Sequence, residues 1–386
     1  MATPLLTPAF PFVNVHIDLT GLASVAQRNP GVVAVVGDAA TGAAAPADTP
    51  VEVTDSGSVA AMFGTSGTLT ASLLTVLQQD PRPAKVYGVR TSAAGAYAEA
   101  LSGLEAADDV TFVCLANEHT VGNHSDAAGT AATGLCALSE HVEKMSGDGQ
   151  KRMAVAMIDP ATAKSPTYAT DVLAAYGKLK SDHGRMILIA ARGATGDAGA
   201  AAMGTIAGYA PSISMVLKQV SGITMPVTTQ YAPAEITQLA EQGVIPLIDP
   251  ALIPGTGLYL GDGGTFSSTA KLCYIDIVRT LDDIEFRLRA GLIGAVGDSR
   301  ITKAGLTALR VRMEGILDPL QLSAVIDSYE ITIPLLAALS VPEASRTAGQ
   351  KDDVDTARMT RQVTALVRIV YGPAVHQLNI TLAPSF

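Results

Sequence analysis

The sequence predicts a mixed α/β fold: an α/β sheet domain, a C-terminal α+β domain, and an extended β-arm at each end. Three observations carry this. Short apolar runs alternate with helical segments from residue 32 to 248, the pattern of a parallel or mixed sheet with helices between its strands. At 255–265 the glycine-rich stretch "GTGLYLGDGGT" intervenes, and beyond it the pattern changes to two long helices followed by strands. Both chain ends alternate apolar and polar residues at period two, the mark of a half-buried strand.

Taken in order, the first eleven residues carry Pro4, Pro8 and Pro11 and read as extended chain. In "FVNVHIDLT" (12–20), Val13, Val15, Ile17 and Leu19 alternate with Asn14, His16, Asp18 and Thr20. Apolar runs then predict strands at 32–36, 85–90, 110–115, 153–158, 186–191 and 244–248. Helices are expected near 67–79, 95–106, 126–145, 167–180, 198–209 and 233–241. Past the glycine-rich turn, helices are expected at 277–292 and 302–317 and a strand at 324–333. The polar stretch "SVPEASRTAGQKDD" (340–353) reads as a loop, followed by strands at 361–371 and 375–382. In the last, Leu378, Ile380 and Leu382 alternate with Gln377, Asn379 and Thr381. The organisation is an N-terminal arm (1–20), a sheet domain (21–255), a C-terminal domain (256–372) and a C-terminal arm (373–386). Each terminal strand has one apolar face to bury and ladder groups to pair. It can add to the chain's own sheet or to the sheet edge of a neighbour.

Composition narrows the function. Of the 386 residues, 48% are hydrophobic and 16% charged, so the chain can bury a large core and leaves a surface poor in charge. Such a surface suits a protein packed against copies of itself. The net charge of −10 argues against nucleic acid or an anionic membrane as the primary partner. Aromatic residues make up 4% and tryptophan is absent, so stacking platforms for bases or sugars are few. Cys114, Cys136 and Cys273 show neither a C-x-x-C nor a zinc spacing and suit buried thiols in a reducing compartment. The first residues have no basic stretch of the kind that opens a secretory signal. No apolar run approaches the roughly 18 residues that a membrane-spanning helix needs.

The stretch "GVVAVVGDAATGAAAP" (31–46) opens as a phosphate-binding loop does, with an apolar run ending at Gly37 and a second glycine at Gly42. A P-loop then needs lysine and a hydroxyl, whereas Ala43 and Ala44 follow here. It must also open a helix, which Pro46 and Pro50 oppose. The reading is a strand, a glycine turn and a polar connector. Glu118, His119 and His124, near Cys114 just past a predicted strand end, stand where ligands often bind in α/β sheets. Their spacing matches no recognised metal set, and a polar loop is the favoured reading. Asp282, Asp283 and Glu285 beside Arg287 and Arg289 look like a solvated or interface face of a helix. No constellation of residues carries a reaction, and no cofactor or metal is expected.

Several stretches in order resemble the tail sheath proteins of contractile phage tails and phage-tail-like bacteriocins. They are residues 29–79, with the segment "TPVEVTDSGSVAAMFGTSGTL"; "PAKVYGVRTS", with its Val89–Arg90 pair; "LAEQGVIPLI"; "YIDIVRTLDDIEFRLRAGL" (274–292); and "ITKAGLTALRVRMEGILDPLQLSAVIDSYEI". "YLGDGGT" (259–265) stands where the family often has Trp-Gly-x-Arg-Thr, and here the tryptophan and arginine are missing. The likeness covers nearly the whole chain and is thinnest over 116–200. The chain is short for the family, nearest the P2-like and R-type bacteriocin sheaths, which implies that large outer insertions are lacking.

The resemblance implies a structural, non-enzymatic subunit. Such subunits stack as hexameric rings in a helical cylinder around an inner tail tube, between baseplate and tail terminator proteins. Contraction drives the tube through a target cell envelope, with no direct membrane insertion of the sheath. The implied location is a virion tail or tail-like particle assembled in a host bacterial cytoplasm. In the family, terminal arms add strands to neighbouring subunits, which assigns that role to Val13, Val15, Ile17, Leu19, Leu378, Ile380 and Leu382. The family's C-terminal domain packs inward on the tube. In "ITKAGLTALRVRMEGIL" (301–317), Leu306, Leu309, Met313 and Ile316 form an apolar stripe. Lys303 and Arg310, seven apart on another face, and Arg300 upstream become tube-facing candidates. Gly21 to Gly31 at one end and Gly372–Pro373 at the other are hinge candidates between arm and body. The competing reading is an α/β small-molecule-binding protein or enzyme.

Overall fold

The computed structural model describes residues 31–254, 257–295, 297–373 and 376. The strand and hinge residues Val13, Val15, Ile17, Leu19, Gly21, Leu378, Ile380 and Leu382 lie outside these described residues.

A nine-stranded mixed sheet forms the larger body. Its strands are β1 (Val32–Gly37), β2 (Pro50–Val53), β3 (Lys85–Arg90), β4 (Phe112–Leu115), β5 (Met153–Met157), β6 (Met186–Ala190), β7 (Gln219–Val220), β8 (Val244–Ile248) and β9 (Leu258–Leu260). They run in the order β2-β3-β1-β4-β5-β6-β8-β9-β7. The six strands from β3 to β8 in that order are parallel, while β2, β9 and β7 each pair antiparallel with a neighbour. Parallel strands covered on both faces read as continuous apolar runs. That is why β1, β4, β5 and β6 are buried at every position.

The covering helices of this body are α1 (Ser56–Phe63), α2 (Thr68–Leu77), α3 (Tyr97–Gly103), α4 (Gly134–Gly147), α5 (Tyr168–Tyr176), α6 (Ala198–Gly208) and α7 (Pro233–Glu241). Helices α2 and α6 pack together over the middle of the sheet, and α3 and α4 pack together against it as well. Helix α6, "AGAAAMGTIAG", is buried from Ala198 to Ala207. Its small residues let α2 and the adjoining turn come close: a Cβ on Gly208 would sit 1.8 Å from Pro81 O.

The chain then leaves through α8 (Ile275–Leu292) into a smaller body. This body holds α9 (Lys303–Leu322), β10 (Ile326–Thr332), α10 (Pro334–Ser340), α11 (Ala348–Thr360) and β11 (Leu366–Tyr371). Strands β10 and β11 form an antiparallel two-stranded sheet. A second core gathers Ile284, Leu306, Met313, Leu317, Leu320, Ile326 and Ile331 among others. The first core runs on through Leu258, Leu260, Phe266, Ile275 and Val278. The chain returns to the first sheet as β9, and the second core begins partway along α8.

Other differences have physical causes. Helix α4 starts at Gly134 rather than 126, because Asp126 accepts from the Ala128 and Thr130 amides in a turn of its own. Helix α9 continues past residue 317 and through Pro319, since Leu317 and Leu320 bury in the second core. The expected loop at 340–353 contains the start of α11, opened by a capping box between Thr347 and Gln350.

Candidate assembly surface

Ligands in open α/β sheets bind where the strand order reverses, here between β1 and β4. The C-terminal ends of these strands are closed against each other: a Cβ on Gly37 would lie 2.5 Å from the Ala116 Cβ. The polar groups beside them are committed to the fold. Asp197, buried at the N-terminus of α6, accepts from Ser72 Oγ (2.6 Å), the Asn117 amide (2.7 Å) and the Ala200 amide (2.9 Å). Burial pushes its carboxyl up, and those hydrogen bonds oppose the shift. Asp38 accepts from Thr91 Oγ1.

The loop after β4 gathers no site. Glu118 accepts from Tyr97 Oη (2.8 Å) and from the His119 and Thr120 amides. His119 faces Asp159 at 3.7 Å. His124 turns elsewhere, its Nδ1 2.9 Å from Glu140 and its Nε2 3.1 Å from Lys178 O. Cys114 is buried, and burial raises its thiol well above the ordinary value. Among the described residues, no group of three or more His, Cys, Asp or Glu is placed to hold a metal ion. Nor is any helix there long and apolar enough to cross a membrane.

The charged run on α8 is partly an internal seam, while Arg289 at its end stays exposed. Asp282 takes both terminal nitrogens of Arg185 (2.5 and 2.9 Å), and both side chains are mostly buried. Glu285 reaches Lys151 at 3.3 Å, and Asp283 pairs with Arg287 on the same helix at 2.8 Å. Arg279, which sequence reasoning quoted but gave no role, is buried and donates to the carbonyls of Ile206 (3.0 Å) and Tyr209 (2.7 Å). It thereby caps the orphan carbonyls at the end of α6. Burial lowers its guanidinium to about 10, opposed by the field of Asp283, Asp276 and Asp282. The first half of α8 is thus fastened to the larger body.

What the smaller body leaves open is backbone and surface. In β10–β11, Ile331 pairs with Val367 and Tyr329 with Ile369, and Val367, Tyr329 and Ile369 pack on the second core. Leu366 and Val370 are exposed, as is the Glu330–Arg368 pair at 3.5 Å. Neither strand has a second strand partner among the described residues, so each presents one edge of unpaired ladder groups. Two strands alone are marginal in water, and an open edge is a template for another strand.

Helix α9 shows its expected stripe: Leu306, Met313 and Ile316 are buried and Leu309 is half-buried. Lys303, Arg310 and Arg300 are exposed. Arg310 is engaged by Glu314 at 2.8 Å. Arg312, which sequence reasoning passed over, is also exposed and borders an open surface with Lys303, Ala304, Thr307, Ala308 and Val311. Of the hinge candidates, Gly31 is buried, and a Cβ there would lie 2.5 Å from Ala207 O, whereas Gly372 is exposed in open space.

No family model and no curated protein matches the sequence. Solved structures do match. A chain of the helical sheath of the anti-feeding prophage in its contracted state superposes with a TM-score of 0.66 at 11% identity, covering 98% of this chain and 99% of that one. The fold is that of a contractile sheath subunit. A chain from the contracted sheath complex of the extracellular contractile injection system PVC matches with a TM-score of 0.65 at 13% identity, over 98% of each chain. The sheath tail protein of Listeria innocua matches with a TM-score of 0.56 at 14% identity, covering 90% of this chain and 96% of that one. These matches extend over both bodies described above.

Proposed function

We propose that this chain is the structural subunit of a contractile tail sheath. Copies stack as hexameric rings in a helical cylinder around an inner tail tube, between a baseplate and a tail terminator. They contract to drive the tube through a target cell envelope. The particle is a virion tail or a tail-like particle, assembled in the cytoplasm of a bacterial host. The observation that carries the reading is the sheath fold matched along 98% of the chain, joined to a two-stranded sheet with no further strand partner among the described residues.

The edges of that sheet are the acceptors the terminal segments require. Residues 12–20 and 377–382 alternate at period two and supply strands to β10–β11 of neighbouring copies. A favourable cross-strand pair contributes roughly 0.2–1 kcal/mol. One arm is therefore weak, and a cylinder repeats it many times. Exposed Leu366 and Val370 become part of that contact. The N- and C-terminal arms, the sheet domain and the C-terminal domain facing the tube are the working parts. Lys303 and Arg310, with Arg300, face the tube through a weak, screened electrostatic contact that can release during contraction.

Negative-stain images of the purified full chain test this, beside variants lacking residues 1–20 or 377–386. The full chain should give rods or rings, and each truncated chain a folded monomer that does not polymerise. Normal rods from the truncated chains would remove the arms from assembly. Monodisperse particles from the full chain, supplied with its tube protein, would remove the sheath function.

A further inference from the structure

Helix α9 has a face that the second core leaves uncovered. Leu306, Met313, Ile316, Leu317 and Leu320 are buried on one side. On the opposite side, at steps of three and four, Ala304, Ala308, Val311 and Gly315 are exposed, and Leu322 continues the row. Val311 is 57% exposed and Leu322 88%, and a Cβ on Gly315 would meet nothing within 4 Å. The side of a helix turned away from its core is ordinarily polar. Here its middle is apolar and its charges stand on the flanks, Arg312 on one and Lys303 and Arg310 on the other, about half a turn away at 100° per residue. Helix α11 carries a face of the same build and opposite sign. Val354 is its buried residue. Away from Val354, again at steps of three and four, Ala348, Asp352, Thr356 and Met359 are exposed, with Asp353 and Asp355 on the flanks. Met359 is 79% exposed. The cations of this helix, Lys351 and Arg358, stand nearer the Val354 side. Helix α10 packs against both α9 and α11, and in the single chain both faces stay exposed.

We propose that the uncovered face of α9 docks on α11 of a second copy of this chain. An apolar centre between charged rims is the usual anatomy of a protein interface. Small residues in both rows, Ala304 and Ala308 on one and Ala348 and Gly349 on the other, let the two helices approach closely. Charge selects the partner. With a net charge of −10 copies of the chain repel one another at long range, and Arg312 set against Asp352, Asp353 and Asp355 reverses that locally. The two faces differ, so the contact is head-to-tail: each copy offers α9 to one neighbour and α11 to another. Such a contact builds rings or helices, not a closed two-fold dimer. One helix pair is smaller than the roughly 1,000 Å² that a lasting interface needs, so this contact adds to others in a polymer. Lys303 and Arg310, on the far flank, remain for the tube. The place of the contact in a ring rests on the sheath reading; the contact itself does not.

Disulfide trapping tests it. Two full-length chains, one with Val311→Cys and the other with Met359→Cys, both in a Cys273→Ser background, are mixed and mildly oxidised. Trapping is run in solution and, where rods form with the tube protein, in the rods. A mixed disulfide dimer should form about tenfold above the dimer that either chain forms alone. Arg312→Glu on the first chain, or Asp352→Asn with Asp353→Asn on the second, should each cut its yield about tenfold. The two together should cut it little further, because they remove the same contact. A mixed dimer in neither setting, or losses that multiply, would overturn the contact, and rods formed without it would leave the sheath reading standing. A mixed dimer without rods would support the contact and count against the sheath.

Discussion

Asp197 shows how a single side chain serves this fold. It joins the start of α6 to α2 through Ser72 and to the end of β4 through Asn117. Replacing it by alanine strands three donors, two of them backbone amides. Leaving a buried donor unmade costs about 1–3 kcal/mol. Asp197→Ala should lose about 3 kcal/mol in urea unfolding, after partial relaxation. A loss under 1 kcal/mol would mean that water replaces the carboxylate. The Arg152–His141 contact carries a pH dependence. Arg152 is fully buried, and its Nη1 lies 2.9 Å from His141 Nε2. Burial first, then the charges of Arg152 and Lys144, hold His141 at about 3 instead of its ordinary 6.5. Between these values the unfolded chain binds a proton that the folded chain refuses, so stability rises with pH in that window. Acidifying from pH 7 to 4 should cost about 3 kcal/mol through this residue. His141→Gln keeps an acceptor for Arg152 and should remove that share of the acid sensitivity. An unchanged pH profile would show that His141 does not supply it. None of this was legible in the sequence. Asp197 is an N-cap candidate by type alone, and His141 and Arg152 meet only because β5 returns beside the end of α4.

At the scale of elements, continuous apolar runs found the buried parallel strands, and the three-and-four spacing found α9. The elements that escaped lacked either signal. Strands β2, β7 and β9 are two to four residues long, too short to show a period. Helix α11 buries only Val354 fully, so its sole local mark was the Thr347–Gln350 capping box. The face of α9 is where sequence and structure meet most usefully. Lys303 and Arg310 are exposed as the spacing requires, and the pairing of Arg310 with Glu314 is worth only a few tenths of a kcal/mol. Lys303→Glu with Arg310→Glu should therefore change monomer stability by less than about 1 kcal/mol. It should strongly impair co-assembly with the tube, and high salt should weaken wild-type co-assembly in the same direction. Undiminished co-assembly would return these residues to the role of a solvated face.

For the whole molecule, the two bodies are joined through α8 by Arg279 and by the Arg185–Asp282 pair. Polar and ionic ties of this kind, with good geometry and little exposure, resist relative motion of the bodies. In the proposed sheath, movement between states would then fall to the linkers that lead to the arms. Gly31 is packed against Ala207, a Cβ there lying 2.5 Å from Ala207 O. In the proposed sheath, the change of direction toward the C-terminal arm is assigned to Gly372–Pro373. Arm pairing there persists while linker dihedrals change. Cryo-EM of the assembled sheath in both extended and contracted states tests it most directly. In both states, residues 12–20 and 377–382 should lie beside β10 and β11 of neighbouring copies, with dihedral changes confined to the linkers. Terminal segments folded onto their own subunit, or pairings broken on contraction, would contradict it.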